Sequence, residues 1–373
     1  MNNVTLTNFQ IIHPPHRLEQ ERTQDWILAK HQESVRASQQ EVQADLEKFF
    51  RRYSVKPDLI ATRYFECPDI APEGSDTGTR IYDVHANQLS GSPIGQRNSF
   101  FAERALERFR EFYRDEKGEL GHIIHVTCTG YRSPSAVQRI IAEKNWGRTV
   151  GLTHAYHMGC YAAMPAIRMA DAMALRMNAR VDIVHTEMCG LHMNAADHSP
   201  EQIVVQTLFA DGHVKYSATP SSQDVHGLEV LAIQEEVVED SADSMTWAPE
   251  AWGLSMTLSR EVPARIGGSI MGFFESMAHK ANLEPGPLLK DAIFAIHPGG
   301  PKIITSVQER LGLQDSQVQA SQEILRTRGN MSSATLPHVW KSILDSQPER
   351  GKYVVSFAFG PGLTIFGAIF RIV

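Results

Sequence analysis

Gly159-Cys160-Tyr161-Ala162-Ala163-Met164-Pro165-Ala166-Ile167-Arg168-Met169 is the stretch on which the fold turns. Ala, Met, Leu and Arg dominate onward to Met177, which makes the segment helical by propensity. Proline lacks an N–H and is tolerated in the first turn of a helix, so Pro165 pins the start to about residues 162–165. Cys160 is left just ahead of that start. There the helix dipole favours thiolate and is expected to depress the thiol pKa below that of a free cysteine. Taken singly, a cysteine in such a place reads more simply as a buried, inert side chain.

Two further segments have the same form. In Ala295-Ile296-His297-Pro298-Gly299-Gly300-Pro301-Lys302-Ile303 an apolar strand ends at His297, two glycines permit close approach, and Pro301 suits the first helical position. In Arg328-Gly329-Asn330-Met331-Ser332-Ser333-Ala334-Thr335, Gly329 reads as a helix C-cap and Ser332 or Ser333 as the next N-cap. A turn histidine and a turn asparagine are the plain explanations. Jointly, a Cys, a His and an Asn at junctions leading into helices supply a nucleophile, a base and an amide donor for an oxyanion.

Outward from these junctions the pattern is α/β. Residues 19–53 read as one or two surface helices. Strands are expected at 122–129, 179–185 and 290–296, a β-prone run at 203–208 with a turn at Asp211-Gly212, and helices at 135–143 and 301–311. Residues 219–224 and 238–249 read as loops. Residues 353–370 carry no charge, but Gly360-Pro361-Gly362 breaks them into two buried strands, so no membrane span is expected. A boundary near residue 225 divides the chain into 1–225, carrying the cysteine, and 226–373, carrying His297 and Asn330.

The chain has 373 residues with 42% apolar side chains, ample for a sizeable core. A net charge of −7 argues against a nucleic-acid partner. Cys67, Cys128, Cys160 and Cys189 form no CxxC pair, and Met1-Asn2-Asn3-Val4-Thr5 lacks the regions of a secretory signal. Free thiols and a cytoplasmic location are expected.

Gly159-Cys160, Ile296-His297-Pro298-Gly299-Gly300-Pro301, Gly329-Asn330-Met331-Ser332-Ser333-Ala334 and Phe359-Gly360-Pro361-Gly362-Leu363-Thr364 resemble, in order and spacing, the motifs of the type III polyketide synthases, the chalcone and stilbene synthase family. The resemblance begins near His13-Pro14-Pro15-His16-Arg17 and spans nearly the whole chain. It implies the thiolase fold, a duplicated five-layered α/β/α/β/α architecture working as a homodimer. Cys160 would carry the acyl group. His297 would pair with the Cys160 thiolate and, with Asn330, stabilise the enolate and oxyanion formed when a malonyl thioester loses CO₂. Acyl-CoA and malonyl-CoA are the implied substrates, with acyl carrier protein an open alternative for delivery, and neither a metal nor another cofactor is implied.

The resemblance also assigns the binding residues. Lys48 and Arg51 in Glu47-Lys48-Phe49-Phe50-Arg51, Lys56 after a one-residue insertion, and Lys302 match positions that reach the CoA phosphates. Without the other motifs they would read as a solvated helix face. Phe209 matches one of two aromatic gates; at the other stands Met256, a flexible side chain expected to open the pocket to long or aliphatic starters. Cys189 and His192 match cavity-lining positions, and Ser133 one that reaches the neighbouring subunit's cavity. Ser332, Gly360 and Pro361 edge the cavity. Cys128-Thr129-Gly130-Tyr131 has the bacterial form.

Other readings stay in view. A ketoacyl synthase of the initiating type uses the same three residue types for a single condensation, but there the histidine segment commonly reads His-Gln-Ala-Asn. Papain-like proteases share the Cys, His, Asn order but place the cysteine near the mature N-terminus. A thiolase-fold assembly subunit without activity would be expected to lack the nucleophile. His154, His157 and Cys160, or His185, Cys189, His192, Asp197 and His198, are a weaker zinc alternative, lacking paired ligand spacing.

Overall fold

The computed structural model describes residues 3–39, 45–70, 80–116, 118–221 and 225–373. The chain opens with β1 (Val4–Ile12), β2 (His16–Glu19), α1 (Gln20–Ala37), α2 (Leu46–Tyr53) and β3 (Thr62–Phe65). Then come α3 (Ile94–Phe112), β4 (His122–Thr127), α4 (Ala136–Glu143), β5 (Gly151–Tyr156), α5 (Ala163–Met177), β6 (Val181–Met188), α6 (Pro200–Leu208) and β7 (Asp211–Pro220). Beyond them run β8 (Leu228–Val237), β9 (Met245–Pro249), β10 (Leu254–Leu258), α7 (Val262–Lys280), α8 (Pro285–Asp291) and β11 (Ile293–Ile296). The chain finishes with α9 (Pro301–Leu311), α10 (Asp315–Arg328), α11 (Thr335–Asp345), β12 (Tyr353–Gly360) and β13 (Thr364–Ile372).

Nine strands form one sheet in the order β11-β12-β13-β8-β1-β7-β6-β4-β5. β4 runs parallel to β5 and β6, and β11 parallel to β12; the other ladders are antiparallel. The two sides of the sheet meet at a short seam, Thr5↔Glu229 and Leu6↔Leu228. β2 pairs with β3 and β9 with β10 in separate ribbons. β6 is buried along its whole length, and its polar side chains are bonded where they are buried: Asp182 accepts from Ser217 Oγ at 2.8 Å, His185 bonds Ser333 Oγ, and Glu187 accepts from Cys128 N at 3.0 Å. α5 buries Ala163, Ala166, Ala170 and Ala174; small side chains let a helix lie close to a sheet. α11 buries Trp340, whose Nε1 donates to Ser356 Oγ at 2.9 Å, so the indole's polar atom is satisfied where it is buried.

Several sequence expectations hold. α1 and α2 occupy the predicted helical stretch, Ser135 caps α4 with Gln138 completing a capping box, and β12 and β13 flank the Gly-Pro-Gly turn. α5 starts at Ala163, as Pro165 required. Others fail. The β-prone run 203–208 lies in α6, started by Ser199, whose Oγ accepts from Gln202 N, and by Pro200 in the first turn. Asp211-Gly212 opens β7 rather than turning. The strand expected over 290–296 begins at Ile293, because α8 runs to Asp291. The loop expected at 238–249 holds β9, and of the loop at 219–224, residues 222–224 lie outside the described residues. Neither Ser332 nor Ser333 caps α11; the N-cap is Ala334, and Thr335 Oγ1 accepts from Met331 N at 2.8 Å. Among the described residues no helix is long and apolar enough to cross a membrane.

Candidate active site

Parallel strands deliver their following loops to one edge of a sheet. Cys128 and Thr129 follow β4 and Cys189 follows β6, two parallel strands, whereas His297 follows β11, which runs parallel to β12 but opposite to β4 and β6. Cys160 sits in the turn before α5, with Gly159 at φ +83°. That turn is locked against the one joining β12 to β13. A Cβ on Gly159 would meet Pro361 Cδ at 2.5 Å, and one on Gly360 would meet Tyr161 Cδ1 at 2.0 Å. Glycine at both positions is therefore a packing requirement.

A pocket of about 870 Å³, its open mouth included, lies over this edge and is lined by Cys160, Ser332, Pro361, Cys189, His192, Phe209 and Met256, among others. Cys160 is 7% exposed, His297 and Asn330 1% each. The Asn330 carboxamide is held by its surroundings: Oδ1 accepts from Ser332 N at 2.9 Å and from Thr335 Oγ1 at 3.3 Å. Its backbone is pinned between Leu208 and Ala210. With Oδ1 so occupied, the Nδ2 donors face Gly299 O, at 3.5 Å, and the Cys160 sulfur. His297 is fixed by its backbone, N–H to Phe357 O at 2.7 Å and O from Gly299 N at 2.8 Å. Both of its ring nitrogens are buried and have no hydrogen-bond partner.

Burial decides the charges. It pushes the Cys160 thiol up to about 12, against the pull of the Ser332 and Asn330 side chains and with a further push from the buried Glu187 carboxylate. The depressed thiol pKa expected from the helix start is thus overturned: desolvation outweighs the end of one helix. Burial likewise takes His297 down to about 3. The site at rest holds a thiol and a neutral imidazole.

The remaining expected residues fall in three places. Lys48, Arg51, Lys56 and Lys302 stand outside the pocket lining. Lys48 lies 3.4 Å from Asp45, Arg51 pairs with Asp25 and Glu47, and Lys56 Nζ donates to Arg51 O; Lys302 is exposed in the first turn of α9. α2 nonetheless packs on α6, whose Val205 and Gln206 line the pocket. Ser133 is exposed ahead of α4. The alternative zinc ligands have other partners: His154 bonds Ser135, His157 bonds Tyr131 and His185 bonds Ser333. Among the described residues no three such groups converge on a metal position.

Trp247 is the residue that sequence reasoning missed. In the β9–β10 ribbon it pairs directly with Met256, so both side chains face the pocket. Its Nε1 donates to Cys128 O at 2.7 Å, and its ring stands edge-on to His192 at 5.8 Å. The aromatic wall that Met256 appeared to remove is rebuilt across the ribbon. No signal for it existed while 238–249 read as a loop.

Two family domains cover most of the chain: chalcone and stilbene synthases, N-terminal domain, over residues 24–218, and the C-terminal domain over residues 229–373. The chain belongs to the chalcone and stilbene synthase family. PKS-I from the brown alga Ectocarpus siliculosus superposes with a TM-score of 0.87 at 22% identity, over 100% of this chain and 99% of that one. The C-terminal type III polyketide synthase domain of Steely1, a type I/III hybrid from Dictyostelium, gives 0.82 at 26% identity over 100% of both. The fold is the thiolase fold. A Dictyostelium discoideum protein described as probable polyketide synthase 1 is 29% identical over 275 residues; that match takes in 72% of this chain and 9% of the length of that protein.

Proposed function

We propose that this protein is a type III polyketide synthase that loads an acyl group on Cys160 and extends it by decarboxylative condensation with malonyl thioester units. The observation that supports it most is the pairing of a fully buried imidazole, His297, with both nitrogens unpartnered, and Asn330, whose oxygen is tied down by Ser332 N and whose amide interacts with the Cys160 sulfur. A buried polar group without a partner needs an explanation, and His297 is the residue whose two ring nitrogens are both left so.

In the loading step the Cys160 proton passes to His297 as Sγ attacks the thioester carbonyl. Asn330 Nδ2 donates to the oxyanion, and CoA leaves as its thiol, taking the proton back. Malonyl-CoA then loses CO₂. The electron pair of the broken C–C bond becomes an enolate, held by His297 and Asn330. Its carbon attacks the Cys160 thioester, breaking the C–S bond, so that Sγ leaves as a thiolate, takes a proton from solvent, and the lengthened chain stays on CoA. Neutral donors suit this chemistry because charge appears only in the transition state.

We read the chain as two thiolase-like halves meeting near residue 225, and the enzyme as a cytoplasmic homodimer with Ser133 turned to the partner's cavity. Sedimentation at monomer mass would count against the dimer. Acyl-CoA is the expected donor, the exposed cations Lys48, Lys56 and Lys302 being assigned to its phosphates; equal loading from acyl carrier protein would remove that preference. The central test is intact mass after incubation with acyl-CoA. The wild type gains one acyl group and Cys160→Ala gains none. An adduct persisting in Cys160→Ala would exclude the mechanism.

A further inference from the structure

The carbonyl end of α6 carries the main chain of Asn330. The last internal bond of the helix runs from Phe209 N to Val205 O at 3.1 Å, so the carbonyls of residues 206 to 209 must find partners elsewhere. Each does. Gln206 O and Phe209 O accept from Arg63 Nη1 at 2.8 and 2.7 Å. Thr207 O accepts from Gln20 Nε2 at 2.8 Å. Leu208 O accepts from Asn330 N at 3.0 Å, and Asn330 O accepts from Ala210 N at 2.8 Å. Asn330 is thereby bridged to Phe209, on a helix end whose other carbonyls are held by Arg63 and Gln20.

Arg63 is fully buried. Its Nε donates to Gln20 Oε1 at 2.7 Å, which aims the amide that holds Thr207 O. Its Nη2 is buried without a hydrogen-bond partner. Burial takes its pKa down to about 9, with Asp211 drawing it back up, so the guanidinium is charged at neutral pH. A buried cation costs stability, and one at the carbonyl end of a helix recovers part of that cost from the helix dipole. Its stem is used as well. A Cβ on Gly329, at φ +71°, would meet Arg63 Cγ and Cδ at 3.1 Å and Leu208 O at 3.0 Å. Arg63 therefore touches both sides of the bridge: the end of α6 through its guanidinium, and the residue leading into Asn330 through its methylenes. β3 also receives the end of α10, where Ala61 N and Thr62 Oγ1 donate to Arg326 O and Thr327 O at 2.6 and 2.7 Å.

We propose that Arg63 is a positioning residue for Asn330, fixing the end of α6 so that the carboxamide stands at the Cys160 sulfur. This rests on the role of Asn330 proposed above. Ser332 and Thr335 orient the Asn330 side chain, but Leu208 and Ala210 place its main chain. A shift of about 1 Å in such a group can lose about 10²-fold in rate. Lysine carries one ammonium and lacks the planar frame that reaches Gln20 and both carbonyls together.

A double-mutant cycle on steady-state CO₂ release from malonyl-CoA by the full chain tests this, with folding of each variant checked by near-UV circular dichroism. Arg63→Met should lower kcat about 10- to 100-fold with KM little changed. In the Asn330→Ala background the same substitution should cost less than about threefold, because the group it positions is gone. Arg63→Lys should recover part of the loss. Gln20→Leu removes the bond to Thr207 O and the acceptor of Arg63 Nε. It should lower kcat about three- to tenfold and lose that effect in Asn330→Ala, which keeps the proposal exposed if Arg63→Met fails to fold. An arginine that merely stabilises the fold would give equal losses in both backgrounds. That additivity, or an undiminished kcat in folded Arg63→Met, would overturn the proposal and leave the reaction standing. A wild type that releases no CO₂, or an Asn330→Ala as fast as the wild type, would overturn the reading of the site and this inference with it.

Discussion

The catalytic residues and the pocket wall treat polar groups in opposite ways. At the catalytic residues, the His297 imidazole is buried with neither nitrogen bonded, and Asn330 has its oxygen tied down and its amide interacting with the Cys160 sulfur. In the wall, Tyr82, Gln206 and Cys67 are all bonded back into the protein. An unmade hydrogen bond in a dry site costs stability, so its retention marks where a transition state is to be received. A fully bonded wall has nothing left to offer except shape and apolar surface. Chemistry and selectivity are thereby separated, and substitutions in the two groups should separate in the same way.

The largest expected effect is at the catalytic residues. His297→Ala and Asn330→Ala should each lower kcat for malonyl-CoA decarboxylation by about 10²–10³-fold, the usual loss for one oxyanion donor, with KM little changed. The double variant should fall short of the product, because the two donors serve one charge. Steady-state CO₂ release measures it. A loss below about threefold in His297→Ala, or a loss carried by KM, would erase that distinction.

A smaller effect concerns protonation. The Cys160 pKa is raised, so the sulfur is neutral at low pH and its thiolate fraction grows as pH climbs. Alkylation by iodoacetamide should accelerate roughly tenfold per pH unit between about pH 7 and 9, with no plateau. A plateau near pH 6 to 7 would reveal a preformed thiolate–imidazolium pair. His297 would then be a charged partner at rest, not the neutral one that its burial dictates.

Much of the catalytic machinery was legible in the sequence because backbone rules fixed it. Pro165 can only stand in a first turn, and Gly159 and Gly360 leave room that a side chain would fill. The order of the Cys, His and Asn junctions followed from such local signals. What was not legible depended on long-range packing. The Ile203-Val204-Val205 run is β-branched, and a short apolar run does not tell helix from strand by periodicity; Ser199 as N-cap and Pro200 in the first turn start a helix there. Desolvation of Cys160 comes from elements distant in sequence, so a local dipole argument gave the wrong sign. Trp26, Tyr82 and Trp247 share a cavity only because α1, the segment beside Ile81 and the β9–β10 ribbon are folded together.

The finest expected effect lies in the wall, at Met256 and Trp247. They are cross-strand neighbours, so each sets the space open to the other, and their substitutions should be coupled. Trp247 is held rigidly by Cys128 O and by the edge of His192, while Met256 is an adaptable thioether chain. Trp247→Ala should lengthen the preferred starter, and Met256→Phe should shorten it by narrowing the same passage. Within a double-mutant cycle on loading efficiency, Met256→Phe in the Trp247→Ala background should restore much of the original preference. The coupling expected for side chains in direct contact is about 0.5–3 kcal/mol. Additivity within about 0.3 kcal/mol would mean that the pair does not share one passage.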